Sequence, residues 1–154
     1  MRYTKLVLAL LGFAATLCAA DPFVGTWKMN PAKTKYKAGT APKEQTVTIT
    51  ETGSDLNVKV AGTAADGSKI SVAYTVPSAG GTGKFTESSA YYDGISAKRI
   101  GASEREMSYM KGGKTVYTAH SKISTDGNSL EVSSKGVNPL SQTVDANVAY
   151  DKQK

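Results

Sequence analysis

Cysteine and histidine are almost missing from this chain: each occurs once, as Cys18 and His120. A single cysteine excludes a disulfide within the chain. One cysteine with one histidine excludes a zinc site built from several thiolates and imidazoles. Large apolar side chains are scarce: residues 21–154 hold three Leu, five Ile, eleven Val and two Phe. Beyond the first residues there is no run of about eighteen apolar residues, so no ordinary internal membrane helix is expected. What is present is 154 residues, 40% hydrophobic and 21% charged, the composition of a globular domain rather than a disordered or collagen-like chain. Lys and Arg total 19 against 13 acids, for a net charge of +6.

The first twenty residues read as an address. Arg2 and Lys5 make a positive start, and Leu6 to Leu17 is an apolar stretch of signal-peptide length. Small residues at Cys18 and Ala20 fit a cut after Ala20, which starts the exported chain at Asp21. Leu17 stands where a lipoprotein signal places a small residue before its modified cysteine, so Cys18 is read as a discarded signal residue. Residues 1–20 are therefore expected to be a signal peptide and 21–154 one domain. The destination is periplasmic or extracellular, and the exported chain, without cysteine, does not depend on redox state.

Apolar and polar residues alternate through the rest. Val47 and Ile49, Leu56, Val58 and Val60, and Ile70, Val72, Tyr74 and Val76 each occupy every second position, as do Val144, Ala146, Val148 and Tyr150. Period two in Val, Ile, Thr and Tyr marks strands with one buried face. Turn signals separate them at Gly53, Asp66-Gly67, Gly80-Gly81, Asp93-Gly94, Gly112-Gly113, Asp126-Gly127 and Asn138-Pro139. The pattern predicts about ten strands: 23–29, 45–51, 55–61, 69–76, 84–88, 95–100, 104–111, 114–124, 128–135 and 144–151. Short connections after residue 45 predict an antiparallel up-and-down meander, which removes its exposed edges by closing into a barrel. Residues 30–44, with Pro31, Gly39 and Pro42, read as a long loop with room for one helical turn near Pro31 to Tyr36. The few large aliphatics suit a barrel whose inward positions partly line a cavity; a small filled sandwich is the competing reading.

Phe23-Val24-Gly25-Thr26-Trp27-Lys28-Met29 resembles the opening strand of the lipocalin and fatty-acid-binding protein superfamily, whose mark is Gly-x-Trp near the start of the exported chain. Small exported bacterial proteins of lipocalin-like type are also similar. Gly113-Lys114-Thr115, Asp126 to Val132, Lys135-Gly136-Val137 and Tyr150-Asp151-Lys152 follow the order of the last four strands of fatty-acid-binding proteins. The resemblance implies a lipocalin-like barrel of about eight to ten strands, with Gly25 and Trp27 forming a structural plug at one end. It implies a small hydrophobic or amphipathic ligand inside. Two departures limit it. The family often holds a fatty carboxylate with Arg-x-Tyr on the last strand; Tyr150 matches, but Val148 stands at the Arg position. Lipocalins often lay a basic residue of the last strand over the opening Trp, and here only Lys152 is available.

Candidate ligand-binding residues are Tyr74, Tyr109, Tyr117 and Tyr150, which offer apolar bodies with polar tips, and Arg99 and Arg105. Parity sets Arg105 with Met107 and Tyr109, opposite Glu104 and Glu106; the other register turns Arg105 outward. No catalytic residue is assigned. His120 shares a face with Val116 and Thr118 and has no sequence-visible nucleophile or orienting partner, and Glu104 with Glu106 reads as a solvated face. Lys28, Lys33, Lys35, Lys37 and Lys43 form a basic run without the motifs of nucleic-acid binding, and Gly80-Gly81-Thr82-Gly83 lacks the helix of a phosphate cradle. The expectation is a monomeric, non-enzymatic binding protein with no cofactor, metal, nucleic acid or membrane span. An envelope scaffold with a filled interior is the alternative.

Overall fold

The computed structural model describes residues 20–87 and 91–154. The expected signal peptide, including Cys18, therefore lies outside the described residues apart from Ala20. Twelve strands form one antiparallel sheet: β1 Gly25–Met29, β2 Lys35–Ala38, β3 Glu44–Thr52, β4 Asp55–Thr63, β5 Lys69–Pro77, β6 Gly80–Thr82, β7 Lys84–Phe85, β8 Gly94–Arg99, β9 Glu104–Lys111, β10 Lys114–Ile123, β11 Ser129–Val137 and β12 Thr143–Lys152. β3, β4 and β5 pair in chain order, as do β8 to β12, and β12 returns to pair with β1. The result is an up-and-down meander curled into a nearly closed barrel, as the short connections predict. No helix occurs among the described residues, so none is long and apolar enough to cross a membrane.

Four of the twelve segments are halves of two broken strands. β1 pairs with the end of β12, Trp27 opposite Lys152 and Met29 opposite Tyr150, while β2 pairs with its beginning, Ala38 opposite Asp145. Residues 30–34 bulge between them. Asn30 N–H donates to Ala149 O at 2.8 Å, and the Thr34 hydroxyl accepts from Ala149 N–H at 3.1 Å, replacing the missing backbone acceptor. This corrects the reading of 30–44 as a loop with a helical turn: residues 35–38 are strand, and Pro31 sits in the bulge, where its lack of an N–H is tolerated.

The second broken strand closes the barrel. β6 pairs with β8 and β7 pairs with β5, so residues 80–85 cross from one sheet edge to the other. The expected strand 84–88 is this piece, starting earlier and ending at Phe85. Gly83 is the crossing point. Its N–H donates to Ile95 O at 2.9 Å, and a Cβ there would strike Thr75 O and the Val76 side chain, so only glycine fits.

The inner face carries Val47, Ile49, Leu56, Val58, Tyr74, Val76, Ile95, Met107, Tyr109, Leu130, Val144, Val148 and Tyr150, all buried. These are the alternating positions, so period two alone decides which side chains face inward.

Candidate functional site: a floored cavity with one open end

The two ends of the barrel differ because different turns cover them. At one end Trp27 is fully buried, and its indole N–H donates to Phe23 O at 2.9 Å. Lys152 Nζ lies 5.1 Å from the ring centroid, across the strand pair, in cation–π range. Gly25 has φ of 146°, a conformation side chains avoid, and a Cβ there would lie 2.8 Å from Lys152 Cε. Gly25 and Trp27, the residues expected to form a plug, lie together at this end, with Lys152 over the indole. Inward of Trp27, Phe23 and Arg105 make the floor of a cavity of about 390 Å³. At the other end the β2–β3, β4–β5 and β11–β12 connections contribute Thr40, Pro42, Asp66, Pro139 and Leu140 to its rim, and this is the mouth. Leu140 is exposed there.

Between floor and mouth the wall has an aliphatic side, built by Val47, Ile49, Leu56, Val58 and Val60, and a tyrosine side. Tyr109 stands edge-on to Tyr74, with centroids 5.8 Å apart, and to Tyr117 at 5.4 Å; Tyr92 tilts against Tyr109 at 5.0 Å. Edge-to-face pairs of this kind add about 0.5–1.5 kcal/mol each beyond burial. The Tyr109 hydroxyl donates to the Tyr74 hydroxyl at 3.1 Å, Tyr92 donates to Val137 O at 2.9 Å, and Tyr150 donates to Gln45 Oε1. The tyrosine tips are thus satisfied internally and present mostly ring to the cavity. Burial pushes the phenols up: Tyr36 and Tyr74 to about 12, with Tyr92, Tyr109, Tyr117 and Tyr150 also raised.

Arg105 settles the register question: it faces inward on β9 with Met107 and Tyr109, and Glu104 and Glu106 are less buried on the other side. Its side chain is 5% exposed and Nη2 is ion-paired with Asp21 Oδ2. Asp21 is buried too; its Oδ1 accepts from Phe23 N–H at 3.0 Å. The Phe23 ring lies 5.1 Å from the guanidinium carbon. Arg105 Nε and Nη1 have no hydrogen-bond partner. Burial lowers the guanidinium pKa and the Asp21 carboxylate opposes that shift.

Of the candidate ligand residues, Tyr74, Arg105, Tyr109, Tyr117 and Tyr150 line the cavity, and Arg99 does not. Arg99 ends β8 beyond the floor, its Nη1 3.4 Å from Asp21 Oδ2 and 3.3 Å from Ser78 O. It shares the carboxylate of Asp21 from outside. Sequence reading also passed over four residues. Tyr36 and Gln45 line the cavity, and the first was visible in the alternation Lys35-Tyr36-Lys37. Phe23 was taken only as part of a strand, and Asp21 carried no signal because its partners lie far along the chain.

His120 points out of the barrel, with Nε2 3.7 Å from Glu104 Oε2, while Glu104 is bridged to Lys122 at 2.8 Å. That bridge holds the Glu104 carboxyl below its ordinary value. Lys28, Lys33, Lys35, Lys37 and Lys43 are all exposed, and Lys33 pairs with Asp151 at 3.1 Å. No family model matches this chain, and no curated protein matches it either.

Proposed function

We propose that this protein is an exported carrier that holds a small hydrophobic or amphipathic molecule inside its barrel. The observation that carries this reading is the cavity itself: about 390 Å³, walled by aliphatic and tyrosine side chains, floored at one end and open at the other. That volume lies in the ordinary range of ligand sites, and an apolar wall with few polar groups is what such sites use. The filled-scaffold alternative lacks this support.

Membership of the lipocalin and fatty-acid-binding superfamily is part of the proposal. Its support is the meander closed by β12 on β1, with Gly25 and Trp27 in the opening strand and Lys152 over the indole. Export rests on the charged and apolar start of the sequence. The chain enters the barrel at Asp21, which is buried next to exposed Ala20, and this supports a cut after Ala20.

Native mass spectrometry tests the carrier. Protein exported by a bacterial host and purified without detergent is expected to carry an added mass that denaturation releases as a lipid or small amphiphile. An apo mass, together with failure to bind any of a panel of apolar dyes, would count against it. The same spectrum checks export: the chain is expected to start at Asp21, and retention of residues 1–20 refutes it.

A further inference from the structure

The tyrosine wall gives away its hydroxyl protons unevenly. Tyr109 donates to Tyr74, Tyr92 to Val137 O and Tyr150 to Gln45 Oε1. Tyr74 is thereby met as an acceptor, but its own proton has no acceptor among the described residues, and the Tyr36 hydroxyl has no hydrogen bond there at all. Gln45 is the mirror case: Tyr150 occupies its oxygen, and its amide N–H groups are left over among the described residues. Tyr36, Gln45 and Tyr74 stand on three different strands, β2, β3 and β5, and all line the cavity. They meet around Tyr150. Gln45 holds its hydroxyl, and the Tyr150 phenol is pushed up first by burial and then by Tyr117, Tyr36 and Tyr74, so these tips lie within electrostatic reach of one another. A donor kept from water without an acceptor is costly, and an acceptor is what this place lacks.

No charge balances the spot. The charged side chains lining the cavity are Arg105 at the floor and Asp66 and Lys69 beside the β4–β5 turn. Asp21 occupies Arg105 Nη2, and Arg105 Nε and Nη1 are buried. Burial above all pushes the Tyr74 phenol from 10.0 to about 12, so a negative charge on Tyr74 is disfavoured about a hundredfold relative to water. An anionic ligand group beside that hydroxyl meets the same desolvation.

We infer that the middle of the cavity is a subsite for a neutral carbonyl group, held by the hydroxyls of Tyr36 and Tyr74 and the amide of Gln45, with the ligand's apolar or aromatic arms against the aliphatic and tyrosine walls. The inference rests on the carrier reading and adds the ligand's polar group, its charge and its place. A carbonyl oxygen has two lone pairs and no proton of its own, so it takes two of the three donors. A ligand hydroxyl would bring one more donor to a place already rich in them. Aromatic arms suit a wall whose rings already pair edge to face.

Benzophenone, diphenylmethane and diphenylacetate share two rings and differ at the carbon between them: a carbonyl, a methylene and a carbon bearing a carboxylate. Competition with an apolar dye bound to the exported protein is expected to show benzophenone about tenfold tighter than diphenylmethane, with diphenylacetate the weakest. Y36F and Y74F each remove one hydroxyl, and Y36F breaks no existing bond. Each is expected to weaken benzophenone about three- to tenfold and to leave diphenylmethane unchanged. Carbonyl-labelled benzophenone followed by NMR gives a readout without any variant: its bound resonance is expected downfield of its position in hexane, as for a hydrogen-bonded carbonyl. A hexane-like resonance, equal binding of benzophenone and diphenylmethane, or diphenylacetate binding as tightly as benzophenone overturns the inference and leaves the carrier standing. So does a benzophenone preference that survives both variants unchanged, and so does failure of all three probes to displace a dye that binds. If no dye of the panel and no probe binds, the carrier reading fails and the carbonyl subsite fails with it.

Discussion

Trp27 shows what a single residue can decide. It is the one tryptophan, fully buried, with its N–H bonded to Phe23 O and its ring under Lys152. Truncating it leaves a large void at the floor. Trp27→Ala is expected to cost about 3–5 kcal/mol in denaturant unfolding, and a loss below about 1 kcal/mol would mean the residue is peripheral. Parity set Arg105 on one face with Met107 and Tyr109, but which face turns inward was left open until the strand was seen in the barrel. Its partner was not legible. Asp21 and Arg105 are 84 positions apart, and no local pattern links two residues joined only by closure of the barrel. Arg99 misled for the same reason: alternation gives a face, but whether that face lies over the cavity or past its floor depends on where the strand ends.

At the level of elements, strands with clean alternation and glycine turns were readable nearly to the residue, as β4, β9 and β12 illustrate. The broken ones were not. Pro31 and the surrounding lysines hid the continuation of β1 into β2, because the backbone bond that holds the bulge uses the Thr34 side chain rather than a ladder partner. The β6–β7 crossing was half visible, since Gly80 to Gly83 reads as a loop and only Lys84 and Phe85 as strand. That crossing yields a prediction. Gly83→Val drives side-chain atoms into β5 and is expected to lower stability by about 1–3 kcal/mol, with hydrogen exchange speeding up first in β5, β7 and β8. Equal acceleration in every strand would show that the seam is not a separate weak point.

For the whole molecule, the antiparallel barrel was legible and the cavity only as a shortage of large aliphatics. Volume is a property of curvature and closure, which no residue pattern states. The buried tyrosines give the molecule an alkaline limit. Unfolded phenols titrate near 10.0, and burial raises those of Tyr36 and Tyr74 to about 12. The unfolded chain therefore loses its protons first as pH rises, which favours unfolding. Stability is expected to be intact below about pH 10 and to fall as pH rises through about 12, with tyrosinate absorbance growing in step with loss of sheet circular dichroism. Tyrosinate appearing near pH 10 for the inner residues while the sheet remains intact would mean that water already reaches their hydroxyls.

The floor is sewn from segments far apart in the sequence: Trp27 and Met29 pair with Lys152 and Tyr150, and Gln153 N–H reaches Thr26 O at 2.8 Å. A chain delivered in sequence order must therefore hold one flank of β1 open until residues 150–152 arrive. Hairpins can assemble one by one behind the delivery point, but the cylinder itself stays unzipped, because its last stitch has the greatest sequence separation available. The cavity has no complete wall before that moment. A chain stopped before β12 would leave an unrolled sheet with two unpaired margins, at β1 and at β11.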